Sequence, residues 1–219
     1  MILIRKNAEP KSWTEYRQTP NVSYQSTEDL VNSLLEEQGY ICAYCMRRIP
    51  CRDRIYEKDG VNYTLTKEDH RVEHLLSREK HSDLQLQYAN MVFCCPGHIG
   101  SEDHCDRLKG NNDISFKPTD STFIKTIQYT SRGRISSTNE KADKEINELL
   151  NLNTELLVKN RASALAQAIV EINKHSEGKW TKALIEKFID RYCSAQKDGK
   201  KKEFCGIVVY MLQKKLRQF

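Results

Sequence analysis

Read for the spacing of its apolar residues, the chain divides into three stretches of different period. In the first, residues 1–39, Ile2, Leu3 and Ile4 form a short apolar run that predicts a strand, followed by a brief helix around residues 13–17. Ser26 or Thr27 then caps a helix carrying Leu30, Val31, Leu34 and Leu35 on one face, and Gly39 stops it. Between residues 40 and 112 the periodicity breaks into short strands dense in Cys, His, Asp, Asn and Gly. In the third stretch, 113–219, Phe123, Ile124, Ile127 and Tyr129 precede a turn at Ser131-Arg132-Gly133 and a second strand to Ser137, which reads as a hairpin over 122–138. From Glu140 onward the period is helical, with helices expected at about 140–150, 154–175, 180–194 and 201–217. The pattern is that of an α+β protein with a mostly helical C-terminal half.

Composition narrows this only a little. A chain of 219 residues buries one good core, or a small module plus a helical unit. No apolar run approaches the ~20 residues needed to span a bilayer, and the opening MILIRKNAEP lacks the apolar length and cleavage site of a signal peptide. The expectation is a cytoplasmic protein with no membrane partner. A net charge of +5 suits a nucleic-acid ligand but equally suits many proteins without one. There is no G-x-x-x-x-G-K-[ST] motif, so ATP hydrolysis through a P-loop is not expected of this chain.

Eight cysteines in a protein read as cytoplasmic require another explanation than disulfides. Cys42-Ala-Tyr-Cys45 is a zinc half-site, because two thiolates separated by two residues can turn onto one ion. Tetrahedral zinc needs two further ligands, and Cys95 and Cys105 can supply them, with Cys94 as the alternative to Cys95. A redox C-x-x-C pair would need a βαβ context that the pattern lacks. Cys193 and Cys205 fall in helical patterns and read as small buried residues.

Between the cysteine pairs lies Arg71-Val72-Glu73-His74-Leu75-Leu76, then Asn90-Met91-Val92-Phe93-Cys94-Cys95, then His104-Cys105-Asp106-Arg107-Leu108-Lys109-Gly110-Asn111, a short helix started at the knuckle and ended at a glycine. This order of elements resembles the HNH nuclease superfamily. The resemblance covers roughly 70 residues and is specific as an ordered set, although each element alone is common. Ile2–Lys6 with Pro10 and Trp13, and Leu150-Asn151-Leu152-Asn153 with Leu157 and Arg161, are similar to a bacterial anti-phage subgroup, the PtuB-like nuclease subunits of Septu and retron-linked defence.

The resemblance implies an HNH ββα-metal core over 40–112, stapled by the zinc knuckle and hydrolysing phosphodiester bonds of DNA or RNA. His74 would be the general base. Glu73 and Asp106 would hold a catalytic Mg²⁺ or Mn²⁺, with His104 as the alternative to Asp106. Asn90 would brace the loop and orient the imidazole. Lys109 and Arg78 are read as solvated or phosphate-facing, and His70 and His81 as surface residues. The long loop from Met46 to Asp69 and the nine residues between Cys95 and Cys105 depart from a minimal core. Implied partners are a PtuA-like ATPase subunit and a retron reverse transcriptase with its nucleic acid, with 113–219 as the docking candidate and 1–39 as a packing element. The rival reading is a non-catalytic zinc-knuckle module that binds nucleic acid or protein.

Overall fold

The computed structural model describes residues 1–49, 56–58, 61–63, 71–99, 102–176 and 178–219. The expectation for His70 lies outside them. Eight α-helices and several small antiparallel sheets, each of two strands, are present among these residues. A single apolar cluster draws on all three stretches of the chain.

The strand expected at the start of the first stretch is absent, and residues 2–4 run without regular secondary structure. Ile4 is buried, and its amide reaches the Pro118 carbonyl at 3.0 Å, but Ile2–Ile4 find no strand to pair with among the described residues. Helix α1, Lys11–Arg17, buries Trp13. Helix α2, Glu28–Gln38, starts at Thr27, whose hydroxyl accepts the Leu30 amide. It ends at Gly39 in the left-handed region, φ 66°, where a Cβ would meet the Lys201 side chain and backbone. Its buried Leu30, Val31, Leu34 and Leu35 face the centre of the molecule. The Gln38 amide holds the backbone of Phe93 from both sides, accepting from its N–H at 2.7 Å and donating to its carbonyl at 2.8 Å. One side chain thus does for Phe93 what a third strand would do.

The central stretch holds strand pair β1 (Tyr56–Lys58) and β2 (Val61–Tyr63), then β3 (Arg71–His74) and β4 (Met91–Cys94). Strands β3 and β4 are antiparallel, with Glu73 opposite Val92 and His74 opposite Met91. A small pair, β5 (His98–Ile99) and β6 (Glu102–Asp103), leads into helix α3, Cys105–Lys109, which Gly110 terminates at positive φ.

In the third stretch Phe123 and Ile124 belong to a one-turn helix, α4 (Ser121–Ile124), rather than to a strand, because Asp120 accepts the Thr122 amide and nucleates a turn there. The hairpin proper is β7 (Ile127–Tyr129) with β8 (Ile135–Ser137). Helices α5 (Glu140–Glu148), α6 (Glu155–Asn173) and α7 (Lys182–Cys193) are capped by Asn139, Thr154 and Thr181. The last helix, α8 (Cys205–Leu216), starts four residues later than its pattern predicts. Lys201 and Phe204 spend their amides on the Gly39 and Met46 carbonyls, which ties this segment to the knuckle. Cys205 is buried as expected, but Cys193 is exposed: the inward stripe of α7 is Ile185, Phe188 and Tyr192, and Cys193 lies one step around the helix from it. No helix among the described residues is long and apolar enough to cross a membrane.

Candidate metal centre and adjoining cleft

The C-A-Y-C turn follows α2 directly. Cys42 accepts the Met46 amide and donates its own to the Arg47 carbonyl, a tight reversal closed by an Ile41–Arg48 bridge. Met46 takes φ 64° to complete it. Cys95 follows β4, and Cys105 opens α3 with φ 55° while its amide donates to the Leu150 carbonyl at 2.8 Å. The Sγ atoms of Cys42, Cys45, Cys95 and Cys105 all lie within 4.8 Å of one another, and all four residues are buried. Cys42 and Cys105 are 3.9 Å apart at sulfur, and Cys45 and Cys95 3.6 Å. Four sulfurs bound to one tetrahedral zinc at ~2.3 Å stand ~3.8 Å from each other. The separations fit that geometry and are far beyond the ~2.05 Å of a disulfide.

The electrostatics agree. Burial pushes the Cys45 and Cys105 thiols well above their usual range. Burial acts the same way on Cys42, but hydrogen bonds from Cys105, Cys45, Cys94 and Cys95 outweigh it and hold that thiol well below its usual range. Four crowded thiols cannot all ionise in a dry site without a cation among them. The four buried cysteines can therefore hold a zinc ion. Cys94 is buried beside Cys42 but stands outside the four-sulfur cluster, so Cys95 takes that place. His104, fully buried, turns its Nδ1 to the Cys105 sulfur at 3.1 Å, and its Nε2 has no hydrogen-bond partner. It faces the cysteine cluster and is absent from the cleft that Asp106 lines.

That cleft lies along β3 and α3. It holds about 220 Å³ and is lined by Glu73, His74, Asp106, Arg71 and Arg78 among others. The His74 ring lies edge-on to Tyr24 at 4.6 Å, and Arg78 covers the same tyrosine at 4.7 Å. Its Nε2 is 2.9 Å from the Gln85 carbonyl. A carbonyl only accepts, so Nε2 carries the proton and Nδ1 keeps its lone pair. Burial lowers the imidazole pKa to about 4, with Arg78 and Lys109 adding to the shift and Gln85 and Asp106 opposing it. The ring is neutral at pH 7.

Asn90 does not touch this ring. Its side chain accepts the Leu76 amide at 2.9 Å and donates to the Leu76 and Leu84 carbonyls, closing the loop from 76 to 84. Gln85 comes next in the chain, so Asn90 acts on the imidazole through the loop that carries its carbonyl partner.

Glu73 is buried and held from both sides. Its Oε1 accepts from Tyr44 Oη at 2.8 Å and from Lys109 Nζ at 2.8 Å. Lys109, read from the sequence as a solvated or phosphate-facing charge, is instead fully buried; it also donates to the His74 carbonyl at 3.3 Å. The reason is position: it lies one turn after Cys105 on a helix whose start is fixed against the knuckle. Burial, and then the neighbouring Asp106 carboxylate, push the Glu73 pKa well up, with Lys109 opposing them. Asp106 itself pairs with Arg71 at 3.4 Å. Two carboxylates facing one another favour a proton or cation between them. The four-cysteine cluster is the one set of three or more such ligands close enough to hold a metal among the described residues, and Glu73 and Asp106 offer two carboxylates without a third ligand of that kind.

Sequence reasoning missed Tyr44 and undervalued Lys109. Tyr44 sits inside the C-A-Y-C motif, and that position was the signal available: a residue between two ligands is carried wherever the knuckle goes. A larger cleft, about 580 Å³, lies between the knuckle and α6, but the Glu171, Lys202 and Tyr192 that line it already satisfy one another. The shifted titratable groups Glu73 and His74 line the smaller one. No protein-family model matches this chain, and no curated protein is significantly similar to it.

Proposed function

We propose that the chain is an HNH-type endonuclease that hydrolyses phosphodiester bonds of nucleic acid. The carrying observation is that one neutral imidazole and two facing carboxylates line a single cleft, built on a strand pair and a short helix that share their footing with the four-cysteine cluster. Strand pair β3–β4 followed by α3 has the order of a ββα core, which supports the fold half of the reading.

His74 uses the Nδ1 lone pair to take a proton from the attacking water, and the Gln85 carbonyl keeps the ring in that tautomer. Arg71 and Arg78 line the cleft and draw in the phosphate backbone. Glu73 and Asp106 would hold Mg²⁺ or Mn²⁺, which when bound supplies charge neutralisation at the phosphate. The zinc would be structural, holding Tyr44, Glu73, Lys109 and Asp106 in one frame. We further infer, from the motif resemblance alone, that the protein serves anti-phage defence with an ATPase partner and a retron reverse transcriptase.

The test is incubation of the protein, alone and with its partner complex, with plasmid DNA and total RNA plus Mg²⁺ or Mn²⁺. His74→Ala should lose cleavage by about 10²–10⁴-fold while keeping zinc and fold. Equal cleavage by wild type and His74→Ala would overturn the assignment. The low exposure of Glu73 and His74, 3% and 5%, favours the alternative of a non-catalytic zinc module, which predicts nucleic-acid or protein binding without turnover.

A further inference from the structure

Arg161 on α6 is 1% exposed, yet among the described residues none of its hydrogen bonds goes to a carboxylate. Its Nε donates to the Gly133 carbonyl at 2.6 Å, and its Nη2 to the Leu152 carbonyl at 2.7 Å and to Asn153 Oδ1 at 3.2 Å. All three acceptors are neutral. A guanidinium does not give up its proton in a protein, so a full positive charge is buried here without an ion pair among the described residues. Such a charge is costly unless an anion lies nearby.

The groups whose charge favours the guanidinium are Tyr129, Cys45 and Cys105. Burial keeps the Tyr129 phenol and the free Cys45 and Cys105 thiols alike protonated, so negative charge gathers beside Arg161 only when a bound cation takes the cysteines as thiolates. The backbone shows how they come together. Cys105 donates its amide to Leu150, and Arg161 clasps the carbonyl of Leu152 two residues on. Gly133, at φ 91°, lies against the Val158 carbonyl with no room for a Cβ, which lets its own carbonyl reach Arg161. From the other side, a zinc ion with four thiolates carries a net charge of about −2. All four cysteines are at most 1% exposed, so water does little to balance that charge.

We propose that Arg161 is the resident counter-charge of the four-cysteine metal centre, so that metal occupancy and the seating of α6 against residues 133–135 and 150–153 are coupled. This rests on the zinc reading of the cluster. It assigns Arg161 a positioning and charge-balancing role, outside the reacting atoms.

The test compares Arg161→Met, which removes the charge at similar length, with Arg161→Lys, which keeps it. Zinc stoichiometry and affinity are measured on the full chain by competition with a chromogenic chelator, with circular dichroism to establish folding. Arg161→Met should bind zinc about 10- to 100-fold more weakly, the range typical of outer-shell partners. Arg161→Lys should recover most of that loss. Wild-type affinity in a folded Arg161→Met chain overturns the proposal, and so does an Arg161→Lys chain as defective as Arg161→Met, because the role would then be the hydrogen-bond fork alone. Should neither variant fold, hydrogen exchange on the wild-type chain decides. Stripping zinc should then release amides at 135 and 150–157 while α7 stays protected; unchanged protection there overturns the coupling. A wild-type chain that holds no zinc would instead refute the metal reading itself.

Discussion

The Lys109 ammonium is 1% exposed and its Glu73 partner 3%, so this ion pair meets little solvent screening. Breaking a buried pair costs more than the pair contributes, because it strands one charge. Lys109→Met should therefore destabilise the chain by about 3–5 kcal/mol, read as a fall in the thermal midpoint. A Glu73→Gln/Lys109→Met double variant should be more stable than the sum of the single losses predicts, since it removes both charges together. Additive losses in that cycle would show that the two side chains act independently. At the same scale, Asn90 acts on His74 without a hydrogen bond to it: its amide closes the loop whose next residue, Gln85, sets the His74 tautomer.

Among elements, the packing of α6, α7 and the segment before α8 converges on one carboxylate. Glu171 pairs with Arg191 at 2.8 Å and Lys202 at 2.9 Å, and accepts from Tyr192 at 3.0 Å. Burial acts to raise its pKa, but Lys202, Tyr192 and Arg191 outweigh burial and hold it below the ordinary value of 4.5. A carboxyl lowered on folding contributes stability that is complete above its unfolded-state pKa and is lost as pH falls through the folded value. The thermal midpoint should therefore drop as pH is lowered from 5 toward 3, and Glu171→Gln should flatten part of that drop. An identical acid profile in the variant would place the acid sensitivity elsewhere. Elements also explain the boundary misses: α8 starts late because Lys201 and Phe204 give their amides to the knuckle.

For the molecule as a whole, the four cysteines join three sequence-distant segments: the turn after α2, the end of β4 and the start of α3. Metal binding at such a junction is part of folding free energy, about 10–16 kcal/mol for structural zinc in small domains. Cys42→Ser should lose zinc and unfold in a broader transition at a markedly lower midpoint, and chelation of the wild-type protein should do the same. Metal content alongside calorimetry checks this, and a sharp, unshifted transition in the metal-free chain would refute it.

Much was legible along the chain because it depends on local spacing. The cap at Thr27, one of the two residues the pattern offered, and the helix starts near 140, 154 and 180 follow from local spacing, and Cys42, Cys45, Cys95 and Cys105 were identifiable because two thiolates at that spacing favour one ion. What the chain alone left undecided depends on neighbours distant in sequence. The choice of Cys95 over Cys94, the turning of His104 toward the knuckle and the lack of a strand at Ile2–Ile4 were set by packing partners tens of residues away. So were the burial of Lys109 against Glu73 and the lone charge of Arg161. A side chain's charge is written in the sequence; whether water or a buried thiolate balances it is decided only when the fold closes around it.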